Sequence, residues 1–145
     1  FSHETLNLCR KVFKSKDMKS DENREKMMVA SYLGGCSIAT SYVGIVHPFS
    51  AGLSVVFGTH HCLANCIVMR SMQEFYPDAY EEFWSMVELQ GINIPSGICD
   101  NLSDEKYEKL YQAILIHEKP LTNALGERFK EILTKEKVVQ ILKKM

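Results

Sequence analysis

The sequence predicts an all-α fold, a helical bundle, and two observations predict it. Apolar residues recur at three- and four-residue steps through most of its long segments. Helix-starting Ser, Thr and Pro and helix-stopping Gly punctuate those segments, and no internal repeat or low-complexity stretch interrupts them. At 145 residues the chain reads as one all-helical domain with a substantial single core. Its 46% hydrophobic content argues against disorder. A net charge of −1 offers no basic face for nucleic acid. Five cysteines, an odd and scattered set, fit a reducing compartment better than a disulfide framework, so a cytoplasmic location is expected. There is no signal-peptide pattern. The chain starts at Phe1 rather than Met, as a processed, trimmed or excised piece of a longer protein would.

Taken in order, Phe1 to Lys14 reads as a helix with Leu6, Cys9 and Phe13 on one stripe. Ser15 to Asn23 is a polar connection, and Asp21 or Asn23 can cap a second helix from about Glu25 to Val46. Small residues at Ala30, Gly34, Ser37, Ser41 and Gly44 suggest close approach of another backbone, because glycine inside a helix costs about 1 kcal/mol relative to alanine. The other face offers Met28, Tyr32, Ile38, Tyr42 and Ile45. A helix uncharged all round is expected to be buried on most sides. Pro48 should end it at His47.

Phe49 to Phe57 is a short helix or a strand broken by Gly58, with a helical hairpin preferred. His60 to Tyr76 reads as another helix, with Leu63, Ile67 and Met69 apolar. Pro77 opens an amphipathic helix to Gln90, its inner face Tyr80, Phe83, Trp84 and Val87, closed by Gly91. Ile92 to Asn101 is a loop. Ser103 starts a helix with Tyr107, Leu110, Tyr111, Ile114 and Leu115 on one stripe. Pro120 to Leu125 is a short helix stopped by Gly126. Thr134 caps the last one, with Val138, Ile141 and Leu142 facing inward.

From Met27 to Met69 there is no Asp, Glu, Lys or Arg. A membrane span is the sharp reading of such a run. Five glycines, Pro48, Asn65 and three histidines argue for a buried hairpin of a soluble protein instead. His47 and His61 are the clearest chemical signal, each beside a helix end or turn where a ring can project into a cleft. Imidazole is the commonest ligand of divalent first-row metals, but a catalytic ion wants three or four protein ligands. Two widely spaced histidines are more often structural, and their uncharged setting brings the two readings close to even, since a buried histidine needs a partner. Cys62 and Cys66, one turn apart beside His61, read as core cysteines before a zinc cluster. His60 must point away from its neighbour, and His3 and His117 have no supporting pattern. The Met27–Met28 pair and the Tyr80, Phe83, Trp84 cluster read as core.

The run M-x-A-S-x-x-x-G at Met28–Gly35, then V-G-I-V-H-P at Val43–Pro48 and G-T-H-H-C-L-A-N-C-I at Gly58–Ile67, resembles the C-terminal helical domain of the iron-containing alcohol dehydrogenases. F-Y-P at Phe75–Pro77 and N-A-L-G at Asn123–Gly126 extend it, and H-x13-H between His47 and His61 matches the family's spacing. The resemblance implies that His47 and His61 are two of four ligands of a catalytic divalent metal, usually iron, sometimes zinc. The other two would come from a D-x3-H motif that this chain lacks, as it lacks the glycine-rich loop for NAD(P). The implied protein is thus the C-terminal part of a dehydrogenase, inactive alone, with a small-molecule alcohol or sugar acid as substrate. Dimerisation is common in the family, so a homodimer is among its implied assemblies. A further histidine that some members place four residues after the first ligand is Ala51 here. The wording around His47–Ile67 most resembles the branch that oxidises the C8 hydroxyl of 3-deoxy-manno-octulosonate on the way to an 8-amino sugar of the lipopolysaccharide envelope. A self-contained helical interaction module with histidines satisfied in its core is the competing reading.

Overall fold

A computed structural model describes residues 1–145 as nine α-helices and one 3-10 turn, with no strand. The all-α expectation holds. The chain divides into two compact units, one of residues 1–42 with 84–92, the other of residues 43–83 with 93–145.

In the first unit α1 (Ser2–Phe13) packs on α2 (Asp21–Ser41). Val12 of α1 and Ala30 of α2 are buried. A Cβ on Gly34 would lie 3.5 Å from Thr5 Cγ2, an ordinary contact, and one on Gly35 would meet open space. The expected close approach of another backbone is therefore not met at Gly34, whose neighbour is a side chain at ordinary distance. Helix α2 begins earlier than its sequence suggests. Ser20, not Asp21 or Asn23, is its N-cap, the hydroxyl accepting the Asn23 amide at 3.4 Å. Asn23 is buried and ties down the preceding turn, its Nδ2 donating to Ser15 Oγ at 2.9 Å and to the Asp17 carbonyl at 2.6 Å. The helix stops at Ser41 rather than Val46, because Tyr42 turns to φ 61°, ψ 177°, a conformation almost reserved for glycine. Gln90 Nε2 donates to the carbonyls of Phe13 at 2.6 Å and Ser15 at 3.0 Å.

The expected burial of α2 does not hold. Met28 is 74% exposed and Tyr32 73%, and Val29, Ile38 and Tyr42 are exposed as well. Absence of charge marks a face that avoids water, but within these residues only the stripe through Ala30 is covered. Met28 is accordingly not a core residue.

The second unit is built around α3 (Val46–Phe57), which packs on α4 (His61–Val68), α6 (Asp104–Leu115) and α7 (Glu118–Leu125). Pro48 does not end a helix: it is the third residue of α3, in the first turn where no amide partner is lost. Phe49, Leu53, Ile67, Leu110, Ile114 and Leu121 are fully or almost fully buried. A Cβ on Gly52 would lie 2.9 Å from Ile114 Cγ1, so glycine is what lets α3 and α6 meet. Helix α4 ends at Val68 and passes into the 3-10 turn Met69–Ser71, well short of Tyr76. There the Ser71 hydroxyl donates to the Val68 carbonyl at 3.0 Å, and Arg70 Nε reaches the Pro95 carbonyl at 3.0 Å. Of the apolar positions of α4, Ile67 is buried and Leu63 is exposed.

Local signals hold for the rest. Helix α5 (Pro77–Leu89) opens on its proline and is followed by Gly91 at φ 60°. Ser103 and Thr134 cap α6 and α9 (Lys135–Leu142) through the amides of Lys106 and Lys137. Gly126 stops α7 at φ 83°. The one-turn α8 (Phe129–Ile132) was not expected. No single helix is long and apolar enough to cross a membrane.

Candidate metal centre

The backbone leading into α3 is fixed before its first turn. Ile45 is buried, and its amide donates to Tyr76 Oη at 3.4 Å. The Gly44 carbonyl accepts the amide of His47 at 3.3 Å, and the His47 carbonyl accepts the Ser50 hydroxyl at 2.9 Å. His47 is thus the second residue of α3, bonded on both sides. Left-handed Gly58, at φ 69°, stops that helix, and His61 begins the next one three residues later. This tight hairpin sets the His47 and His61 rings 5.0 Å apart, centre to centre, with planes at 75°.

A third ring joins them. His117 is the N-cap residue of α7, its amide donating to the Ile114 carbonyl at 3.2 Å and its carbonyl accepting the Leu121 amide at 3.3 Å. Its ring lies 5.7 Å from that of His47, planes at 79°. The sequence offered no pattern for this residue, which is 70 positions from His47; only folding brings the two together. His47 and His117 are half-buried and His61 is exposed. Burial, and then the neighbouring His61 and His117, holds the His47 imidazole below its ordinary pKa, favouring the neutral form that can donate a lone pair to a metal.

Two imidazoles bound to one ion at about 2.1 Å, at angles from square to tetrahedral, have ring centres roughly 4.5–5.2 Å apart. The His47–His61 separation falls in that interval, so this pair fits as two donors to a shared divalent ion. No group of three or more His, Cys, Asp or Glu is arranged to hold one, and further ligands would have to come from outside these residues.

The remaining sequence candidates lie otherwise. Cys62 is exposed, contrary to a core role, while Cys66 is half-buried with its thiol pushed up in pKa by burial and by Cys62. Cys99 is fully buried and its thiol is pushed up to about 12, by burial first and Asp100 second. His60 is exposed, and His3 contacts Asn7 at 3.3 Å. A depression of about 740 Å³ in the first unit, with Val12, Met18, Met27 and Tyr32 among its walls, is lined by no histidine, cysteine or carboxylate.

Residues 6–145 match the family described as Fe-containing alcohol dehydrogenase family, C-terminal. Among curated proteins, the chain is 33% identical over 88 residues to a methanol:N,N-dimethyl-4-nitrosoaniline oxidoreductase of Rhodococcus erythropolis, covering 60% of this chain and 20% of that protein. The enzyme of that name from Mycobacterium sp. (strain DSM 3803 / JC1) is 32% identical over 83 residues, 57% of this chain and 19% of its own. That from Amycolatopsis methanolica is 35% identical over 71 residues, 48% and 17%. The alignments span about a fifth of these relatives.

Proposed function

The chain belongs to the Fe-containing alcohol dehydrogenase family, matching its C-terminal part, and from that membership we propose that it supplies half of the metal site of an alcohol oxidoreductase. The observation that carries the proposal is the His47–His61 pair, two imidazoles from successive helix starts at the separation a shared ion requires. His47 and His61 would hold the metal, and the rest of the complete polypeptide would supply the other ligands and the NAD(P) site. When bound, a divalent iron or zinc ion supplies Lewis acidity that lowers the pKa of a substrate hydroxyl. The chain's own part is to keep His47 neutral by partial burial and to aim it from a backbone bonded on both sides.

Two substrates come to the front. The motif wording at His47–Ile67 favours the C8 hydroxyl of 3-deoxy-manno-octulosonate, and the named relatives favour methanol. The test is the complete polypeptide, purified and loaded with Fe2+ or Zn2+, assayed on both alcohols with NAD(P) or N,N-dimethyl-4-nitrosoaniline as acceptor. His47→Ala and His61→Ala should each lose bound metal and turnover while keeping the helical signal. Retained metal in both variants refutes the proposal, as does turnover by these 145 residues alone. The interaction-module reading needs histidines satisfied in the core, and an exposed His61 does not meet that condition.

A further inference from the structure

Resting on the reading of His47 and His61 as ligands, we propose that His117 is a positioning residue of the same centre, holding the His47 ring in the orientation in which it shares an ion with His61. The His47 ring has a neighbour at each of two approaches, His61 at 5.0 Å and His117 at 5.7 Å, both near perpendicular. An imidazole is free to swing about its last side-chain torsion, which is broad, and a swing of a few tens of degrees misdirects its lone pair. An edge-to-face aromatic contact opposes that swing. His117 is well placed to provide it, because its own backbone is bonded to Ile114 before it and Leu121 after it, and α7 packs on α3. A third-ligand role is not what the geometry offers, since the three rings do not form a metal-holding group. His117 thus acts through His47, as outer partners of metal-bound histidines do.

The experiment compares Zn2+ affinity, by chelator competition, and the visible spectrum of the Co2+ form in the complete enzyme and four variants. His117→Ala should weaken Zn2+ binding about tenfold. His117→Phe keeps an aromatic edge, so it should recover most of the loss with an unaltered Co2+ spectrum. The inference is overturned if His117→Ala binds Zn2+ as the parent does. It is equally overturned if His117→Phe is no better than alanine and changes the Co2+ spectrum, which marks a direct ligand. His47→Ala and His61→Ala separate the two levels. If they lose the metal while His117→Ala keeps it, only the positioning role falls; if they also keep it, the metal reading falls with it.

Discussion

Gly44→Ala tests how the entry to α3 is set. A Cβ at Gly44 would stand 2.6 Å from Tyr76 Oη, closer than real contacts allow, so the phenol must move. That hydroxyl accepts the amide of Ile45, a residue with no exposed surface. Leaving a buried amide without its acceptor costs about 1–3 kcal/mol. Replacing glycine returns about 0.4–1 kcal/mol through the unfolded chain. The net expectation is a loss of about 1–2 kcal/mol, read as a lower urea midpoint at constant slope, or roughly 3–5 °C in Tm per kcal/mol. Tyr76→Phe completes a cycle. It removes the acceptor, at about the same loss, and with the oxygen gone the nearest ring atom is Cζ at 3.7 Å, an ordinary contact. Gly44→Ala in the Tyr76→Phe background should therefore be neutral or stabilising by about 0.4–1 kcal/mol. Additive losses, or a Gly44→Ala single variant more stable than the parent, would falsify the argument.

Four further outcomes follow from the same structure. Gly52→Ala drives a methyl to 2.9 Å from Ile114 Cγ1 and should destabilise by about 1–3 kcal/mol in urea unfolding, and in an Ile114→Ala background, where that carbon is gone, the same substitution should cost less. Tyr42→Gly removes the strain of a non-glycine residue at φ 61°, ψ 177° and should raise stability by about 1 kcal/mol, an unchanged or lower midpoint showing that the ring contributes more than the strain. Native thiol labelling at neutral pH should find Cys62 early and Cys99 last. Because folding pushes the Cys99 thiol up to about 12, the folded chain keeps a proton that the unfolded chain releases above about pH 8.5. The folded state then binds more protons, so stability falls as pH rises from there toward 12. Cys99→Ala should flatten that fall; an identical alkaline profile would contradict the assignment.

What the sequence made legible is local. Ser103, Thr134, Pro77, Gly91 and Gly126 each announce a helix end through their own backbone or hydroxyl, and each end is where it was expected. The α3–α4 hairpin is legible in part for the same reason, since Gly58 breaks the chain between them, but Pro48 reads as a helix stop at His47 and instead lies in the first turn of α3. Neither end of helix α2 is legible, because Asp21 and Asn23 compete with Ser20 for the cap, and because nothing in a tyrosine signals positive φ. Its exposure is not legible either, because a charge-free composition does not say what lies against a face. Helix α8 spans one turn and offers no period to detect. His117 carries no local signal, because its partner lies far away in sequence and is supplied by the packing of α7 on α3.

The three rings also differ in what it takes to assemble them. Fourteen positions separate His47 from His61 and seventy separate it from His117. Loop-closure entropy grows with the logarithm of length, so the longer closure costs about 1.4 kcal/mol more. The α3–α4 hairpin can bring its two imidazoles together on its own timescale, while His117 arrives only when α6 and α7 have docked. In a refolding chain the pair should form first, loosely oriented. The third ring then closes over it, after the lag that docking takes.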